Sequence, residues 1–166
     1  KNTLTFSFSS EAPVTRYFGE EVLDHEEKSV DLTRLNNNAA PLLFNHDPNI
    51  VLGKVSKAWI DGKRGMATIK WATNTKAKEV RADVEAGILE SISVGYVVTE
   101  MEPDQEGDAM RATSWSPHEL SIVSIPADQS VGINRSLPFS FPTPKNHYTD
   151  MSYVTQDLDK IASGRS

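Results

Sequence analysis

Three stretches of the chain set a polar side chain of catalytic type beside strongly apolar residues. They are His46 in L-L-F-N-H-D-P, Ser93 in G-I-L-E-S-I-S-V-G-Y, and the pair His118-Glu119 in S-P-H-E-L-S-I-V-S-I. A serine hydroxyl is a weak nucleophile until a base takes its proton. The base works best when a third group fixes its tautomer and steadies the imidazolium. Serine, histidine and carboxylate together would therefore support attack on a carbonyl carbon. Each residue alone has a plainer reading: a strand serine fills a small polar position, a histidine after a buried strand caps a turn, and Asp47 before Pro48 forms an Asx-turn. Gly95 reads as a bulge or a point of close backbone approach. Four residues, His46, Asp47, His118 and Glu119, are of metal-ligating type, but no two-histidine spacing supports a metal site.

The elements that must position these residues read mainly as strands. Residues 1–10 alternate Leu4, Phe6 and Phe8 with Thr3, Thr5 and Ser7, a two-residue period that is not the continuous apolar core of a signal peptide. Residues 13–18 suit a second short strand, and 20–35 fit neither period, reading as mixed strand and loop. Asn36 to Asn38 is a turn, and Leu42, Leu43 and Phe44 form a buried strand that delivers the chain to a turn at 45–48. Residues 51–60 and 66–71 make a hairpin around Asp61-Gly62, with a connection of five residues and Val55, Trp59, Ile69 and Trp71 in the core. Asn74 and its threonine neighbours offer caps for a helix carrying Ala77, Val80, Val84 and Ile88 on one face and ending at Gly87.

Ser93 follows in a strand that runs to about Met101, with Ile92, Val94, Tyr96 and Val98 on the face opposite Ser91 and Ser93. A polar turn at 103–108 leads to a return strand over 109–115. Ser116-Pro117 interrupts it, and 118–125 resumes as a strand apolar on both faces, suited to a barrel or sandwich. In that strand His118 and Glu119 point to opposite faces, so only one can join Ser93. The domain reads as residues 1–134. Residues 135–166 read as a proline-containing linker, with Pro138, Pro142 and Pro144, and a C-terminal tail flexible by composition.

Composition narrows the function class. With 166 residues and a 38% apolar fraction, one compact domain is the expectation. No apolar run approaches membrane-spanning length. A net charge of -6 without a basic cluster argues against a nucleic-acid surface. Cysteine is absent, which removes disulfides and thiolate chemistry and fits a reducing compartment. No cofactor or metal is indicated.

The series L-L-F-N-H-D, V-L-G-K-V, G-I-L-E-S-I-S-V-G-Y and W-S-P-H-E-L-S-I-V-S-I-P-A-D resembles the motif order of the HK97-type prohead proteases of tailed bacteriophages over most of residues 1–133. That family is distantly related to the herpesvirus assembly proteases. The resemblance implies a mainly β fold with flanking helices (α+β), a herpesvirus-protease-like closed or partly open β-barrel. It implies a serine endopeptidase with Ser93 as nucleophile, His46 as base and Glu119 as third member. His118 stays an alternative third member, because the herpesvirus relatives use a second histidine, and Ser91 is the alternative nucleophile. The substrates implied are scaffold protein or the scaffold segment of the major capsid protein, cut inside the assembling prohead in the host bacterial cytoplasm, with self-cleavage expected. Nucleic acid and membrane are not expected as partners, and a homo-oligomer stays open. The competing class is a non-catalytic capsid-assembly or scaffold-binding module on the same fold. A carbohydrate-binding sandwich would place aromatic residues in exposed clusters, whereas Trp59, Trp71 and Trp115 fall in patterned strands.

Overall fold

The structure is a computed structural model that describes residues 1–105 and 107–133. The linker and tail expected from 135 onward lie outside the described residues. Among the described residues eight strands dominate: β1 (Thr3–Ser10), β2 (Val14–Arg16), β3 (Gly19–Leu23), β4 (Pro41–Phe44), β5 (Asp47–Asp61), β6 (Arg64–Trp71), β7 (Ser91–Pro103) and β8 (Met110–Val123). Helices are few: a 3-10 turn at Glu27–Ser29, the single turn α1 (Thr33–Asn36) and the longer α2 (Thr75–Glu85). The stretch at 20–35 thus holds β3 and two short helical turns.

The strands form one sheet in the order β1-β6-β5-β4-β8-β3-β2, with β7 paired to β8. The mainly β expectation stands, whereas strand pairing does not close the sheet into a barrel. Where closure would bring β1 against β7, Gly132 lies between them. Its carbonyl accepts from Ser7 N–H at 3.4 Å, its N–H donates to Ser7 Oγ at 3.0 Å, and it forms a bridge with Ser91. One residue spans the ends there, leaving a seam between the two strands.

Strand β8 organises the sheet. It pairs antiparallel with β7 along most of its length, while its other edge takes β3 in parallel at Met110 to Ala112 and β4 in parallel at Leu120 to Ile122. The break expected at Ser116-Pro117 does not occur. Pro117 lies beside a register shift in β7 and, on the other edge, between the segments that pair with β3 and β4. A residue without an N–H costs little where no ladder bond is required of it. All five residues from Glu119 to Val123 are buried, as expected for a strand covered on both faces.

Two details of the β5–β6 hairpin differ from the sequence pattern. Asp61 pairs with Arg64, so the turn is only Gly62-Lys63, with Gly62 at φ +60°, a conformation that glycine adopts without steric cost. A register shift between Val55 and Lys57 reverses the alternation, so Ala58 is buried and Trp59 lies at the margin with Lys57 Nζ 5.1 Å from its ring centre. Helix α2 is capped by Asn74 Oδ1, which accepts from Ala77 N–H at 2.8 Å. It buries Ala77, Val80 and Val84. Ile88, expected on the same face, falls beyond the helix end and is 72% exposed. The core of Phe6, Phe8, Leu42, Leu52, Ile69, Ile92, Trp115, Leu120 and Ile122 lies within the curved sheet, each large side chain contributing about 1.5–3 kcal/mol by burial.

Candidate active site

The apolar trio of β4, with Leu42 and Leu43 buried and Phe44 half-buried, carries the chain beside β8, with Phe44 opposite Ile122. Phe44 also pairs with Asp47, so Asn45-His46 is a two-residue hairpin turn with φ of 50° and 59°. Two consecutive left-handed residues mark the type I′ turn, which suits the twist of a β-hairpin and favours asparagine. Histidine is a less usual occupant and carries some backbone strain. Three hydrogen bonds hold the turn on β8. Asn45 N–H donates to Ile122 O at 3.0 Å, Ser124 N–H donates to Asn45 Oδ1 at 3.2 Å, and His46 N–H donates to Ser121 Oγ at 3.0 Å.

Ser93 and Ser121 are cross-strand partners on β7 and β8, so their side chains share a face. Glu119, two residues before Ser121, shares it too. His46 therefore meets both: Ser93 Oγ lies 2.8 Å from His46 Nε2, and His46 Nδ1–H donates to Glu119 Oε1. Ser121 Oγ donates to the other Glu119 oxygen at 3.0 Å. With the imidazole proton on Nδ1, Nε2 is free to take the serine proton. The three side chains are nearly buried, Ser93 at 8%, His46 at 7% and Glu119 at 2%. Lower local polarity strengthens a carboxylate's hold on an imidazolium formed in the reaction.

The alternatives are placed elsewhere. His118 sits on the opposite face of β8, half-buried near Asp31 and Arg34. Desolvation, then the Arg34 charge, lowers its pKa against the opposing pull of Asp31. Ser91 pairs with Val123 and bridges to Gly132, one step along the strand from the serine that meets His46. Asp47 accepts from Asn49 N–H at 2.9 Å, the Asx-turn read from the sequence. Ser121 escaped the sequence reading, although its place two residues after Glu119 in one strand was a usable signal.

A family model described as Caudovirus prohead serine protease matches residues 5–138. The chain belongs to the caudovirus prohead serine protease family. A protein named "Major capsid protein" of Halomonas phage phiHAP-1 is 42% identical over 137 residues. The match covers 78% of this chain and 23% of that relative, so the chain corresponds to less than a quarter of its length. No solved structure matches the chain. Membership supports a capsid-maturation protease, and the described residues contain no helix long and apolar enough to cross a membrane.

A second serine–histidine contact was not foreseen. Ser9 Oγ donates to His25 Nε2 at 2.8 Å, and His25 Nδ1–H donates to Leu23 O at 2.8 Å. The ring packs edge-on against Trp115 at 5.4 Å, and burial lowers its pKa despite opposing contributions from Leu23 O and from Glu11, Asp24 and Asp128. Beside it Arg111 joins Glu11 at 3.1 Å, Asp24 at 2.9 Å and Asp104 at 2.9 Å.

Proposed function

We propose that this chain is a serine endopeptidase of prohead maturation. Ser93 Oγ attacks the peptide carbonyl while His46 Nε2 takes its proton. His46 then protonates the leaving amine, and water hydrolyses the acyl-enzyme by the same relay in reverse. Glu119 holds Nδ1–H and stabilises the imidazolium, and Ser121 orients Glu119. The observation that carries this reading is the continuous hydrogen-bonded path Ser93–His46–Glu119 in a chain of the prohead protease family.

The substrates are scaffold protein or the scaffold segment of a major capsid protein, cut inside the assembling prohead in the host cytoplasm, with self-cleavage as a companion reaction. Residues 1–134 form the protease domain, and 135–166 link it to a further scaffold or capsid segment. Co-expression of the chain with its capsid protein, as wild type and as Ser93→Ala, tests this by mass spectrometry of fragments. Fragments that depend on Ser93 are expected; equal cleavage in both removes the assignment.

A second reading draws on the name of the Halomonas phage relative, a major capsid protein. A domain within a capsid polypeptide could serve assembly without chemistry. Shells that assemble normally with Ser93→Ala and show no processing in wild type would favour that module.

A further inference from the structure

The open seam between β1 and β7 does more than interrupt the sheet. Beyond the Gly132 crossing, a cavity of about 30 Å³ lies between the end of β1 and the first half of β7, walled by Phe8, Ala12, Val14, Ile92, Val94 and Ser93 itself. The bulge of β1 between Ser7 and Ser9 falls at the same level. We propose that this cavity is the subsite for the substrate side chain immediately before the scissile bond, and that it selects small uncharged side chains such as alanine and serine. The inference rests on the protease reading.

Position identifies the occupant. A carbonyl carbon held for attack lies about 3–3.5 Å from the serine oxygen. The side chain nearest a cavity walled by that serine is then the one on the residue that supplies the carbonyl. Volume sets its size, because about 30 Å³ holds one or two groups the size of water or methyl. Leucine, aromatic residues, lysine and arginine exceed it.

Charge sets its polarity. The inner end is closed by Arg16, Glu21 and Tyr96, which bind one another: Arg16 Nη2 donates to the Tyr96 hydroxyl, that hydroxyl donates to Glu21 Oε1, and Arg16 Nε is 3.6 Å from Glu21 Oε1. At the rim Asp128 accepts from Ser10 Oγ at 2.5 Å and from Ser130 N–H and Oγ at 2.9 and 2.6 Å. The buried Arg16–Glu21 pair is neutral as a unit, and the Asp128 carboxylate opposes acidic side chains. An apolar wall remains for the substrate to touch.

The test digests a proteome-derived peptide library with the 166-residue chain and reads cut positions by mass spectrometry, beside fluorophosphonate labelling of wild type and Ser93→Ala. Expected are cuts after alanine, serine or glycine. Val14→Ala should raise cleavage after valine or leucine about tenfold relative to alanine, and Ala12→Leu should suppress cleavage after everything but glycine. Both positions are only half-buried, which limits the effect on folding. Ser93-dependent labelling with cuts after large or charged residues, or a profile unmoved by both variants, overturns the subsite and leaves the protease reading intact. Absence of both Ser93-dependent labelling and cleavage overturns the two together.

Discussion

The described residues contain two serine–histidine pairs of the same length, and they differ in what holds the far side of the ring. In each, a serine oxygen lies 2.8 Å from Nε2. At His46 the far ring nitrogen is hydrogen-bonded to the Glu119 carboxylate, whereas at His25 it is hydrogen-bonded to the Leu23 carbonyl, with the Glu11 carboxylate farther off at 3.7 Å. A carbonyl dipole fixes a tautomer. A carboxylate does that and also stabilises the charge the ring acquires when it takes a proton. Both serines border the seam cavity, Ser93 at 8% exposure. Ser9 is 2% exposed, and even a Cβ added at Gly65 would come within 2.4 Å of its oxygen. A short serine–histidine distance is therefore weak grounds for catalysis; the group hydrogen-bonded to the far ring nitrogen decides.

The comparison breaks most sharply at the serines. Ser93→Ala should lower kcat/KM by about 10⁴-fold or more with urea stability little changed. Ser9→Ala should do the reverse, leaving kcat/KM within a few-fold while costing about 1–3 kcal/mol, because His25 Nε2 loses its buried donor. Equal activity losses in the two variants would erase the distinction drawn between the pairs. Glu119→Gln should reduce kcat by about 10³-fold through loss of imidazolium stabilisation, whereas His118→Ala should leave it within a few-fold. The opposite result moves the third role to His118. Ser121→Ala should lower kcat about tenfold with KM nearly constant, since it orients Glu119 and the His46 turn without touching substrate. A change confined to KM would rule out that positioning role.

The smallest effect concerns pH. His25 has a folded pKa below its ordinary 6.5, so the unfolded chain binds the proton more readily. Its contribution to stability is complete above about pH 6.5 and declines as pH falls through that value toward the lowered folded pKa, by at most about 1.4 kcal/mol per pH unit. Urea midpoints between pH 7 and 5 should show this slope in wild type, and His25→Gln should flatten it. An unchanged slope in the variant would assign the acid sensitivity to other groups.

Much of this site was legible before the fold. Period-two alternation located β1, the β5–β6 hairpin and β7, and the asparagine cap located α2. Strand parity also required His118 and Glu119 to part. Local pattern failed where a tertiary neighbour changed its meaning. The bulge near Ser56 exchanged Trp59 for Ala58 in the core, and Pro117 stayed within β8 because no ladder bond was required of it. His25 was missed because its segment follows neither period. Its partners Ser9, Leu23 and Trp115 come together only when β1, β3 and β8 assemble.

By itself the sequence determined residue types, strand faces and the order of motifs. Those follow from backbone geometry and side-chain chemistry, which are local. Only the tertiary structure decided that a left-handed turn brings His46 between Ser93 and Glu119, that Ser121 ties the turn to the carboxylate, and that the sheet stays open beside the serine. Each of these depends on pairing between strands far apart in the chain, where register and bulges set which side chains meet.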